Sequence, residues 1–270
     1  MRNFLRYILF LLISIFRSKH RYIILNPNLT LIKINQVIIF DKEKKCFLTY
    51  NIRNNYDYIT VLEIYFYQSY EVKNMKFIDE KLSQFDKKNI LIIDCGSNIG
   101  CSTNYFLENY KNSKVVSIEP DKENFKMLVK NIKDRNRAEL INSAISNDIK
   151  SFEVRNDLKN FKDNRGKNIV EITEINSSKS LKVNDIIQDK KNSNFEPFII
   201  KIDIEGYEKK LFESNTEWVD QFEIIIIELH DWMLPGQSTS QNFFKTITAS
   251  MNKNKRDIII KGENLISIKH

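Results

Sequence analysis

From residue 90 onward, apolar runs of strand length alternate with segments of helical period. The runs are ILIID (90–94), KVVSIE (114–119), AELIN (138–142), PFIIKID (197–203) and FEIIIIELH (222–230), and helical patterns lie at 101–110, 122–134 and 206–214. Near-continuous apolar strands separated by helices predict a mostly parallel sheet with helices on both faces, an α/β fold. DIIIKGENLISIK (257–269) carries two apolar runs around Gly262 and predicts a terminal antiparallel hairpin. Residues 147–195 are polar, with weak strand signals at SFEVR and NIVEITEI. They read as an insertion between the third and fourth core strands.

Before residue 90 the pattern differs. An apolar run, Tyr7 to Phe16, is bracketed by Arg2, Arg6, Arg17, Lys19 and Arg21. It is about half the roughly 20 residues that a spanning helix needs, and no small-residue cleavage site follows it. It predicts an N-terminal helix over 1–22 that either packs on the protein or lies in a membrane interface. LTLIKINQVIIFD (29–41) and KCFLTYNI (45–52) read as short paired strands, and VLEIYFYQSYEV (61–72) as a packing helix with aromatic residues at helical spacing. The expected division is an apolar helix at 1–22, a small α+β extension at 23–85, and the main domain at 86–270.

Composition narrows the class. With only 6 Gly and 4 Pro in 270 residues, each glycine carries information about the backbone. The net charge of +7 is spread along the chain without a basic block, and no nucleic-acid module is recognisable. The three cysteines, Cys46, Cys95 and Cys101, lack metal spacing and are odd in number, which fits a reducing, cytoplasmic compartment.

The chemistry starts at DCGSNIG (94–100), where the first strand of the series runs into a glycine-rich turn. Open parallel sheets bind ligands at the carboxyl ends of their strands. Gly96 and Gly100 allow a tight turn and a close ligand. Asp94 at the strand tip can accept from an ammonium group or hold the loop. The pattern is D-x-G-x-N-x-G. It is not the G-x-G-x-x-G of a dinucleotide site, and Asn98 stands where a pyrophosphate would need glycine. The next strand ends in SIEP, and Glu119 at its tip is placed to hold the two hydroxyls of a ribose. An adenosine ligand without pyrophosphate, carrying a cationic amino-acid tail, is S-adenosylmethionine.

These stretches, with LINSAISN (140–147), IIKIDIEGYEKKLFE (199–213) and IIIIELHD (224–231), resemble the FkbM family of class I S-adenosylmethionine-dependent methyltransferases. The resemblance spans roughly 60–230, and K-I-D-x-E-G-x-E is its most specific mark. It implies the Rossmann-like class I methyltransferase sheet and O-methylation of a hydroxyl on a saccharide, glycan or related small acceptor. Asp94, Gly96, Asn98 and Gly100 match the family's cofactor loop and Glu119 its ribose acid, while Cys95 and Ser97 replace commoner residues there; Ser97, Pro120 and Asp203 complete the expected cofactor site. Ser143 and Ala144 fall where the adenine edge is expected.

Methyl transfer to a hydroxyl needs an in-line geometry and a proton acceptor. Residues two apart share a face of a strand, so Asp203 would align with Glu205, and Glu228 with His230, if the strands stay extended that far. His230, with an ordinary pKa of about 6.5, and Asp203 compete as the base, with Glu205 beside them. Mg²⁺ suits such carboxylates, but no ligand spacing demands a metal and none is assigned. Trp232 and Met233 are candidates for an acceptor pocket or a loop plug. The alternative to an enzyme is a non-catalytic module of the same fold at a membrane surface.

Overall fold

The computed structural model describes residues 19–25, 35–72, 83, 85, 88–155, 168–172 and 178–270. The chain divides into two units, residues 1–69 and 70–270.

In the first unit, β1 (Tyr22–Ile24), β2 (Gln36–Asp41) and β3 (Cys46–Asn51) form an antiparallel sheet in that order. Alternation in β2 buries Val37, Ile39 and Asp41. Arg21 neutralises the buried Asp41 at 2.8 Å. The helix Asn55–Val61 is capped by Asn54, whose side chain accepts from the amides of Tyr56 and Asp57. It continues as a π-helical turn over Leu62–Phe66. Most of the helix expected over 1–22 lies outside the described residues, as does the run 29–34. At its far end that helix is corrected, because Tyr22 already pairs with Asp41 in the sheet. Among the described residues no helix is long and apolar enough to cross a membrane.

The second unit is built on a seven-stranded sheet in the order β14-β15-β13-β12-β4-β5-β6. Its strands are β4 (Ile90–Cys95), β5 (Ser113–Ile118), β6 (Ala138–Ile141), β12 (Glu196–Ile202), β13 (Ile224–Glu228), β14 (Arg256–Lys261) and β15 (Asn264–Lys269). All the pairings from β6 to β13 are parallel, and β15 alone runs antiparallel to its neighbours, so the terminal hairpin is present. Period two sorts the side chains. Leu91, Ile93 and Cys95 join a core with Ile200, Ile202, Ile225 and Ile227, covered by Ile186, Leu211, Trp218 and Phe243. The alternate positions, including Asp94 and Lys201, face the other side.

The segment read as an insertion holds the two strands expected in it, at SFEVR and NIVEITEI, and further short strands. Strands β7 (Ile145–Ser146) through β11 (Leu181–Lys182) form small sheets, among them the β8 (Ser151–Arg155) and β9 (Asn168–Ile172) hairpin. The helix Val183–Asn192 then crosses back to the core through Val183, Ile186 and Ile187. A helix at Gln241–Met251, also absent from the sequence reading, buries Phe243, Ile247 and Ser250. The helix expected over 206–214 shortens to Glu208–Leu211, because Glu205 and Gly206 have left-handed backbone (φ 55° and 93°).

Candidate active site

Chain order reverses between β4 and β12, and the crevice opens at the carboxyl ends of these two strands. In register, Lys201 lies beside Asp94 and Ile202 beside Cys95. Gly96, with φ of 80°, sits under the next loop: a Cβ there would lie 1.7 Å from the Asp203 carbonyl oxygen. The glycine therefore serves close passage of two backbones.

Below this turn lies a fully buried polar group. Asp94 accepts from the hydroxyls of Ser102 and Thr103 at 2.7 Å each. Lys201 Nζ donates to the Gly96 carbonyl at 2.7 Å and lies 3.5 Å from Asp94 and 3.3 Å from Asp203. Burial opposes a charge on Lys201, but Asp203 foremost, with Asp94, holds its pKa well above the ordinary range. Ser97 turns its hydroxyl back to the Asp94 carbonyl at 2.8 Å, and Gly100 caps the helix Cys101–Asn109. Asp94, Ser97 and Gly100 thus build the loop from behind. Burial pushes the Cys95 thiol up, so it is an inert filler.

Glu119 follows β5. One carboxylate oxygen accepts from the Asn98 amide at 2.8 Å and the other from the Asp121 amide at 2.9 Å. The second oxygen also takes a long contact from the Asn124 side-chain amide at 3.5 Å, and the oxygen facing Asn98 keeps a further lone pair. Burial, only partly offset by these amides, pushes its pKa up to about 7. Asn98 has left-handed backbone (φ 48°), which asparagine tolerates. Its side-chain oxygen is buried without a partner. Gly96, Asn98, Glu119, Pro120, Asp121, Asn124, Asp203, Ile204 and Glu205 line one cleft. An acceptor without a donor beside a strand-tip carboxylate fits a ligand that brings an ammonium and hydroxyls.

On the β12 side the cleft meets a cluster of acids. The strands end at Ile202 and Glu228, so the extended alignment expected beyond them does not occur. The left-handed pair Glu205–Gly206 folds the chain back instead, and the residues still converge. His230 Nε2 lies 3.6 Å from carboxylate oxygens of Asp203, Glu205 and Glu228. Its Nδ1 is 2.9 Å from Glu208, which sequence reasoning missed and which is fully buried. Burial works against a charged imidazole, yet the Glu208 hydrogen bond and the surrounding carboxylates push His230 up to about 10. The ordinary value assumed for it as a base is corrected. Burial, then Asp203, also push Glu228 up.

Ser143 and Ala144 are buried in the turn after β6, where the Ser143 hydroxyl donates to the Lys179 carbonyl at 2.7 Å. They are not among the cleft-lining residues; Val154 and Ile169 of the β8–β9 hairpin are. Met233 is buried and Trp232 is exposed. Asp231 holds their loop by accepting from Thr239 at 2.7 Å and from the Ser240 amide at 3.1 Å.

Residues 94–256, more than half of the chain, match the family described as Methyltransferase FkbM domain. No curated protein sequence matches. Among solved structures, a putative rRNA-methylase from Clostridium thermocellum is similar at 9% identity and TM-score 0.40, over 71% of this chain and 94% of that one. The fibrillarin of Aeropyrum pernix, with natively bound S-adenosyl-L-methionine, is similar at 7% identity and TM-score 0.39, over 87% and 94%. The plantazolicin methyltransferase BpumL, in complex with SAH, is similar at 14% identity and TM-score 0.40, over 80% and 88%.

Proposed function

We propose that this chain, which belongs to the FkbM methyltransferase family and is an S-adenosylmethionine-dependent enzyme, methylates a hydroxyl of a saccharide or related small acceptor. The observation that carries the reading is the shared cleft. Gly96, Asn98 and Glu119 line it together with the carboxylate-bearing Asp203 and Glu205. When bound, the cofactor supplies a methyl group on a sulfonium.

Each residue then has a task. Glu119 accepts from the ribose hydroxyls, through the lone pair left on one oxygen and in place of the long Asn124 contact on the other, and the Asn98 side-chain oxygen accepts from the amino group. Pro120 forms the wall beside Glu119, and Val154 and Ile169 offer an apolar surface to the base. Asp203, paired with Lys201, fixes the β12 loop against Gly96. Glu205 takes the proton of the acceptor hydroxyl, and His230 holds the acids together from behind. The wall's amides and carboxylates suit a hydroxylated acceptor, whose O–H groups need such partners.

The test is transfer of isotopically labelled methyl from the cofactor to a pool of saccharides. Label recovered as an O-methyl ether supports the reading; label on nitrogen or carbon alone, or on protein alone, overturns it. Attachment of residues 1–20 to a membrane face is a separate proposal, carried by the bracketed run Tyr7 to Phe16. Deleting these residues should reduce sedimentation with anionic vesicles, and unchanged sedimentation would remove it.

A further inference from the structure

We infer that Asp203, Glu228 and His230 form a site for one hard divalent cation of the magnesium or manganese class, beside the cofactor cleft. This deepens the proposed O-methylation and rests on it for its role, though not for its binding test.

Three observations converge. The carboxylates of Asp203 and Glu228 and the imidazole of His230 each offer a ligand atom, and these atoms all lie within 4.8 Å of one another. His230 Nε2 is 3.6 Å from its three carboxylate neighbours, too far for a hydrogen bond. Two cis ligands about 2.1–2.4 Å from one cation stand about 3.0–3.4 Å apart, so the ligand atoms would draw inward on an ion.

The second observation is the orientation of the ring. The His230 side chain is 2% exposed, and its Nδ1 meets the Glu208 carboxylate at 2.9 Å. That carboxylate accepts from Nδ1–H and turns Nε2 toward the other three acids. A carboxylate behind one ring nitrogen, with the other aimed at anionic oxygens, is the arrangement by which proteins orient a metal-ligating histidine.

The third is charge. Asp203, Glu205, Glu208 and Glu228 surround one imidazole, and among the described residues Lys201 lies between Asp203 and the buried Asp94. Such a concentration of carboxylates favours a cation, and an oxygen-rich set with a single imidazole suits Mg²⁺ or Mn²⁺ better than the thiolate-preferring metals. Three protein ligands leave coordination positions for water or for an acceptor hydroxyl. A hydroxyl bound there would be more acidic. Its proton would pass to Glu205, whose carboxylate is not needed for the triad, and the oxygen's electron pair would form the new O–C bond as the cofactor's S–CH3 bond breaks, its electron pair remaining on the sulfur of the S-adenosylhomocysteine that leaves.

The test uses the full chain and Mn²⁺ alone, followed by electron paramagnetic resonance and by calorimetry without cofactor. The wild type should take up one Mn²⁺. Glu228→Gln should weaken that uptake at least about tenfold, and Glu208→Gln by the roughly 10–100-fold typical of an outer partner. Glu123→Gln, on the exposed helix Lys122–Asn131, should leave it unchanged. No uptake at millimolar Mn²⁺ overturns the site, and so does uptake insensitive to both Glu228→Gln and Glu208→Gln. S-adenosylhomocysteine titrated into the same samples keeps the two readings apart. Binding of that ligand without Mn²⁺ uptake rejects the metal and leaves the methyltransferase site standing. Mn²⁺ uptake without S-adenosylhomocysteine binding supports the metal and rejects the cofactor assignment.

Discussion

If Glu119 holds the ribose, cofactor affinity must depend on pH in a particular direction. Its carboxyl has a pKa of about 7, raised by burial from the usual 4.5. Below pH 7 it is increasingly protonated and loses the charge that strengthens its hydrogen bonds. Charge-assisted bonds contribute about 1.5–3 kcal/mol against about 0.5–1.5 kcal/mol for neutral ones. Two ribose hydroxyls therefore distinguish the two protonation states by about 2–3 kcal/mol, or about 30–150-fold. From pH 8 to pH 6 the ionised fraction falls about tenfold for such a pKa, and that fraction sets the observed change. Calorimetric titration with S-adenosylhomocysteine should show affinity dropping about tenfold across this window. Glu119→Gln should bind at least about tenfold more weakly at pH 8 and lose the pH dependence, with folding checked by circular dichroism. A wild-type affinity that is flat with pH, or a slope that persists in Glu119→Gln, would refute the ribose assignment.

Gly96→Ala should destabilise the protein by about 2–5 kcal/mol, combining the left-handed backbone penalty with overpacking against the Asp203 carbonyl; an unfolding free energy from urea titration lowered by less than a quarter of this would contradict the close-passage role. Lys201→Met should cost about 3–5 kcal/mol in the same assay, because it leaves the buried Asp94 and its neighbour Asp203 without their cation; a neutral or stabilising outcome would show that these acids are otherwise balanced. Glu205→Gln should lower turnover by about 10²–10⁴-fold while leaving S-adenosylhomocysteine affinity nearly unchanged; full activity would place the proton acceptor elsewhere.

The sheet was legible because its strands are buried on both faces, so Ile90–Cys95 and Ile224–Glu228 announce themselves as unbroken apolar runs. The cofactor loop was legible because the chain has so few glycines that Gly96 and Gly100 stand out. Two helices were hidden for physical reasons. In VNDIIQDKKN only Val183, Ile186 and Ile187 are apolar and buried, a V-x-x-I-I spacing that polar flanks obscured. In QNFFKTITASM, threonine and serine interrupt the stripe that carries Phe243 and Ile247. The contact of Lys201 with the Gly96 carbonyl depends on the register of β12 against β4, which no local pattern encodes. Glu208 was missed altogether, since nothing local links it to His230, 22 residues further along. The convergence of Asp203, Glu205 and His230 was expected from strand periodicity but arises from a left-handed turn, which only a three-dimensional chain path reveals.

A single cleft, between the Gly96–Asn98 turn and Glu119 on one side and Asp203–Glu205 on the other, is proposed to hold the cofactor. A crystal structure of the full chain with S-adenosylhomocysteine would show where the ligand sits. The ribose hydroxyls should lie within hydrogen-bond reach of Glu119, the amino group near the Asn98 side-chain oxygen, and the sulfur on the side of the cleft facing Asp203 and Glu205. Ligand bound at any other place, or no ligand density in this cleft at saturating concentration, would contradict it.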